Sequence, residues 1–296
     1  MLKYRLISFP LLIALGAAIF FWKQGGSYIL TVIAPLAVGF AVYETAAMAE
    51  KIKIPAFPKL TGIVAGAAVL AVLNIEPLIK QLDRFSLSTR IDLAVSGLAV
   101  FLLVPAVTLL LRKEGFLERL IGSVGILLGF GVPLLLAVSC WHLRIPWLSL
   151  NPFASEGMNA LLFLVAVSKA MDTGGYIFGM TAGALLPGGS HKIAPSISPK
   201  KSWEGFAGGL VLSVLAACCF HWWGSLNLWW CITSGVVLAL GSFCGDLTES
   251  ALKRRCGVKD SGSYIPGMGG AFDILDSFLY NGVLLVIMVV VFYGKF

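Results

Sequence analysis

The feature that most constrains this chain is the recurrence, along its whole length, of apolar runs of about twenty residues, each long enough to cross a hydrocarbon core of about 30 Å as a helix. Lipid offers no partner for backbone N–H and C=O groups, so spanning segments must satisfy them internally, as helices do. The alternation of polar and apolar residues that marks a membrane barrel is absent. Composition agrees: 58% of the 296 residues are hydrophobic and 12% are charged. That is roughly half the charge of a soluble domain, and mean hydropathy is +0.90. The fold class expected is all-α, a polytopic integral membrane protein of about nine transmembrane helices. The spans fall near residues 6–22, 27–48, 61–79, 92–111, 120–141, 159–184, 205–223, 228–247 and 278–294. The first has the Lys3 and Arg5 of a signal peptide but runs on through Phe20, Phe21 and Trp22 without a small-residue cleavage site. It reads as a retained span.

Lys and Arg set the orientation. With these spans, one set of loops holds 15 of them, among them Lys51, Lys53, Arg112, Lys200, Lys201 and Lys253, and the other set holds 6. Lys169 lies inside a span. The N-terminus is therefore expected in the cytoplasm and the C-terminus outside. The formal charge of +7 follows from these loops and calls for no nucleic-acid partner. The six cysteines form no CxxC pair, and with only three histidines beside them they lack the ligand spacing of a structural zinc site; they read as small hydrophobes.

Polarity is distributed unevenly. Residues 1–150 read as N-terminal transmembrane scaffold, with Glu44 and Glu76 left unassigned as structural or cavity-lining groups. Residues 151–296 read as catalytic transmembrane helices with cytoplasmic loops, because they hold nearly all the remaining intramembrane polar groups. Where the eighth span runs out, Asp246, Glu249 or Ser250, and Lys253 recur at helical spacing and share one face. Ionisable groups at such a depth survive mainly by lining a polar cavity or binding an ion. Arg254 and Arg255 follow, then Lys259-Asp260, then Pro266-Gly267-Met268-Gly269-Gly270. Glycines before a helix let backbone N–H groups approach an anion. Asp273 and Asp276, at i and i+3, can offer two carboxylates to hard cations. Upstream stand Lys169 and Asp172, which can neutralise each other, and Ser198-Pro199-Lys200-Lys201-Ser202, where the lysine pair suits a phosphate and Ser202 can cap the next helix. Carboxylates for Mg²⁺-type ions beside basic side chains are the equipment of phosphoryl or nucleotidyl transfer.

At this point the sequence resembles the CDP-diacylglycerol synthases, or phosphatidate cytidylyltransferases. Their signature of Ser, two residues, Lys-Arg, then Lys-Asp, Pro-Gly-His-Gly-Gly and Asp-Arg-x-Asp is matched by Ser250 to Arg254, Lys259-Asp260, Pro266 to Gly270 and Asp273 to Asp276. Asp172 to Tyr176 and Ser198 to Gly205 look like two upstream motifs of the same family. Met268 stands where the family usually has His, and Ile274 where it usually has Arg. The resemblance implies CTP plus phosphatidate giving CDP-diacylglycerol and pyrophosphate, in a multi-pass protein of the cell membrane, the inner membrane of a bacterium. It implies Asp246, Asp273 and Asp276 as ligands of a two-cation site with Mg²⁺, and Lys253, Arg254 and Lys259 against the leaving pyrophosphate. Substrate contacts are then expected from Asp172, Ser198, Lys200, Lys201, Glu249, Arg255, Asp260, Gly267, Gly269 and Gly270. Assembly as a homodimer is left open. The alternatives are another membrane transferase or kinase acting on a lipid phosphate or polyprenol, and a transporter of a polar substrate. A transporter predicts broken helices in both halves, whereas polarity here is one-sided.

Overall fold

A computed structural model describes residues 2–22, 25–82, 115–140, 156–187, 189–224, 226–264 and 269–293. The chain is an all-α polytopic membrane protein. Its helices are α1 (Leu2–Phe21), α2 (Gly26–Lys51), α3 (Pro58–Leu82), α4 (Phe116–Ser139), α5 (Glu156–Leu185), α6 (Trp203–Gly224), α7 (Leu228–Arg255), α8 (Phe272–Leu275) and α9 (Phe278–Tyr293). Among the described residues, six are long and apolar enough to cross a membrane: α2, α4, α5, α6, α7, and the stretch Phe272–Val289 running through α8 into α9. Shorter apolar helices cover Pro10–Phe21 and Pro58–Asn74. The span expected at 92–111 lies outside the described residues.

Side chains alone do not explain how closely these helices approach. With lipid as solvent, helices associate through close packing, which small residues permit. A Cβ on Gly66 of α3 would stand 2.9 Å from the Pro35 carbonyl oxygen of α2, and one on Gly62 would stand 2.8 Å from that of Gly39. The same device joins α5 to α6: a Cβ on Gly205 would meet the Gly175 oxygen at 2.7 Å, and one on Gly209 the Met171 oxygen at 2.6 Å. Between α5, α7 and α9 the interior is tied by polar groups, with Asn281 Nδ2 donating to Ser168 Oγ (2.7 Å) and Ser242 Oγ (2.8 Å). In α4 one turn widens to π geometry at Leu127–Gly131.

The polar segment between α5 and α6 forms a small antiparallel hairpin. Strands β1 (Lys192–Ala194) and β2 (Ser198–Ser202) pair Lys192 with Ser202 and Ala194 with Ser198. β2 runs directly into α6, where Ser202 Oγ accepts the Gly205 N–H at 3.2 Å, the cap foreseen for it. Arg254 pins the hairpin to the end of α7 by donating from Nε to the Ile197 carbonyl at 3.3 Å.

Candidate active site

α7 starts on a firm cap, Asn227 Oδ1 accepting the N–H groups of Trp229 (2.8 Å) and Trp230 (3.3 Å). Its last three turns carry Asp246, Glu249 and Lys253 on the face turned toward α8 and α9, as their spacing requires. Lys253, Arg254 and Arg255 end the helix, where cations complement its dipole. A Cβ on Gly245 would stand 2.3 Å from the Asp276 carbonyl oxygen, so only glycine lets the α8–α9 turn come this close to α7.

Asp273 and Asp276 were expected on one face of one helix, and the chain separates them. α8 is a single turn that breaks at Asp276-Ser277, where the Ser277 N–H donates to Asp276 Oδ1 (2.6 Å) rather than continuing a helical ladder. Asp276, 7% exposed, is thereby placed beside α7. One oxygen each of Asp246, Glu249 and Asp276 lie within 4.8 Å of one another. Asp273 lies next to this cluster: its carboxylate takes Lys253 Nζ at 2.8 Å and accepts the N–H groups of Ser261 (3.1 Å) and Gly270 (2.7 Å).

Three lysines from three elements balance these acids. Lys201 of β2 reaches Asp246 Oδ2 at 2.9 Å. Lys253 bridges Glu249 Oε1 (2.7 Å) and Asp273 Oδ1 (2.8 Å). Lys169 of α5 pairs with Asp172 Oδ2 at 2.9 Å and stands 3.9 Å from Asp276 Oδ1, while also donating to the Ile274 carbonyl at 3.0 Å. Five carboxylates thus meet three ammonium groups, a formal excess of two negative charges. Clustered carboxylates repel strongly in a medium of low dielectric. An all-oxygen donor set with an excess of two charges suits one hard divalent cation, whose oxygen ligands stand about 2.0–2.6 Å from the metal. The residues fit such an ion.

Other expected site residues fall around this mesh. Lys200 is exposed on the opposite face of β2 from Lys201, and Ser198 opens the strand half-buried. Arg255, Lys259 and Asp260 are exposed at and beyond the end of α7. Gly267 lies outside the described residues, as does Met268. Gly269 adopts φ +101°, a left-handed conformation that favours glycine, with its Cβ position 2.1 Å from Asp273 Oδ2. The amides around Gly270, expected to face an anion, are taken by the protein's own carboxylates: Gly270 N–H by Asp273, and Ala271 and Phe272 N–H by Glu44 of α2. Glu44 stood in the sequence only as an unassigned structural or cavity-lining group, and Lys169 only as a partner of Asp172. For both, the available signal was a charge inside an apolar span. Nearby, burial pushes the Cys256 thiol up, in keeping with a structural cysteine.

A family model described as the cytidylyltransferase family matches residues 3–292. Among curated proteins, the phosphatidate cytidylyltransferase of Staphylococcus epidermidis is 41% identical over 138 residues, 46% of this chain and 51% of that protein. The protein of the same name from Staphylococcus saprophyticus is 38% identical over 155 residues, 52% and 57% of the two chains. That from Staphylococcus aureus is 41% identical over 138 residues, 46% and 51%. The chain spans about half the length of these curated relatives. A match running through every described helix, together with a charged site assembled from α5, β2, α7 and the α8–α9 turn, places this chain in the cytidylyltransferase family.

Proposed function

We propose that the protein is a phosphatidate cytidylyltransferase, joining CTP and phosphatidate to give CDP-diacylglycerol and pyrophosphate at the cytosolic face of a bacterial inner membrane. The observation that carries this is the convergence of Asp246, Glu249 and Asp276 within 4.8 Å, ringed by Lys169, Lys201 and Lys253. The loop charges, 15 against 6, favour the cytosolic side. Asp246, Glu249 and Asp276 would hold Mg²⁺, with Asp273 beside them available to a second cation. When bound, the metal supplies charge neutralisation on phosphate oxygens.

The chain's own residues do the rest. Lys201 and Lys253, paired with carboxylates, can turn their ammonium groups toward phosphate oxygens once a cation takes over the acids. Arg254 and Lys259, with Lys200, Arg255 and Ser198 around them, line the basic rim that meets the triphosphate, and Asp172 stays tied to Lys169. An oxygen of the phosphatidate monoester attacks the α-phosphorus of CTP. The bond from that phosphorus to the bridging oxygen of the β-phosphate breaks, and pyrophosphate leaves with the electron pair against the basic side chains. A phosphate monoester is already ionised near neutral pH, so the step needs no strong base among the residues. The lipid enters sideways from the bilayer, where the exposed apolar faces of the helices already meet acyl chains. The decisive test uses purified protein, CTP labelled at the α-phosphorus, phosphatidate and Mg²⁺, with each omitted in turn. Label should enter the lipid fraction only with all present; label in lipid without phosphatidate, or an equal rate with triphosphates of other bases, would sink the reading.

A further inference from the structure

We infer that Glu44 is a positioning residue: from α2 it clamps Ser261, Ala271 and Phe272 and so sets where Asp273 and Asp276 stand in the site. This rests on the function proposed above only for its catalytic consequence. Glu44 is 2% exposed. Burying a carboxylate is costly unless donors satisfy it, and every donor it meets among the described residues comes from these three residues ahead of Asp273. Glu44 Oε2 accepts from Ser261 Oγ at 2.7 Å and from Phe272 N–H at 3.0 Å, and Oε1 accepts from Ala271 N–H at 3.1 Å. Two stretches, at Ser261 and at Ala271-Phe272, are thus drawn onto one side chain more than 200 residues away in sequence.

Both stretches are shaped to receive it. A Cβ on Gly262 would stand 2.3 Å from Glu44 Oε1, and one on Gly270 would stand 2.3 Å from Oε2, so neither position tolerates a side chain while Glu44 is seated. Asp273 ties the same two stretches together through the Ser261 and Gly270 amides. Glu44 is therefore the internal anion of this turn. It occupies the amides that a phosphate would otherwise meet, and it fixes the turn before any substrate arrives. Asp273 follows Phe272 directly and Asp276 lies one turn further, so the clamp reaches the acidic cluster along the backbone.

The test is Glu44→Gln in detergent, with Ser261→Ala as a second variant that leaves the buried carboxylate in place. Amide hydrogen exchange is read without substrate or metal, and the Mg²⁺ dependence of turnover is read separately. In Glu44→Gln, exchange at Ala271 and Phe272 should speed up by about tenfold or more, the size of a lost hydrogen bond to a charged acceptor, while α9 peptides hold their wild-type rates. Ser261→Ala should show the same pattern more weakly. Half-saturating Mg²⁺ should rise by about tenfold, with most of kcat recovered at high Mg²⁺. Wild-type exchange at those amides in both variants overturns the clamp. So does a loss of turnover that saturating Mg²⁺ leaves untouched. The exchange arm needs no product, so an inactive wild type would count against the proposed function and leave the clamp to be decided by exchange.

Discussion

Two helix pairs in this protein are built on the same device and put to different use. α2 packs on α3, and α5 on α6, through glycines whose missing Cβ atoms let backbone meet backbone. Among the described residues the first seam is largely apolar and carries one buried acid, Glu44, toward the Lys51 end of α2. Along the second, Lys169 and Asp172 stand on α5, and the strand leading into α6 delivers Lys201 to Asp246. Close helix approach is thus a general means of assembly in lipid, while chemistry depends on which side chains the seam brings to one end of the bundle.

That contrast can be broken at several points. The largest effect should come from Asp246→Asn or Asp276→Asn, each removing a carboxylate from the cluster. Label transfer should fall by at least about 10³-fold while the protein still elutes as a folded species, since ion and lysine stabilisation supplies most of the catalysis expected here. Next, Gly205→Val and Gly66→Val should each cost about 1–3 kcal/mol by overpacking, seen as similar drops in Tm. Activity per folded molecule should then separate them. Gly205→Val, which pushes α6 and Lys201 off α5, should lose about 10²-fold, the cost of a misplacement near 1 Å. Gly66→Val should stay within about twofold of wild type. Equal losses from both would erase the distinction between the seams.

Lys169→Met should lower turnover by about tenfold, because it leaves Asp172 and Asp276 unbalanced and the Ile274 carbonyl without its donor. Ile274 stands where the resembled signature has Arg, and the Lys169 ammonium brings a cation beside that same turn. The smallest change should come from Lys200→Ala. Lys200 faces away from the acids on β2, so an effect within about threefold is expected, seen as weaker CTP binding at low salt that fades at high salt.

The spans and the α7 face were legible in the sequence because both are local periods. Runs of apolar residues announce helices, and Asp246, Glu249 and Lys253 recur at helical spacing. Eight of the nine expected spans coincide with described helices, although the break between α8 and α9 went unseen. That break depends on Asp276 capping Ser277, a local alternative to the helical ladder. The hairpin was missed because Ser198-Pro199-Lys200-Lys201-Ser202 carries no apolar alternation and its partner strand is three residues long. The glycine-rich turn was read as a shape that meets a substrate anion, whereas its Gly270, Ala271 and Phe272 amides are taken by Asp273 and Glu44. Glu44 lies far from that turn in sequence, and no period links the two.

The most direct measurement is Mn²⁺ binding by electron paramagnetic resonance, on detergent-solubilised protein without nucleotide or lipid. Wild type should show a saturable Mn²⁺ site that Mg²⁺ displaces and that both Asp246→Asn and Asp276→Asn abolish, whereas Lys200→Ala retains it. Saturable binding that survives both substitutions, or no binding by folded wild type, would contradict a shared cation site at the meeting of α7 with the α8–α9 turn.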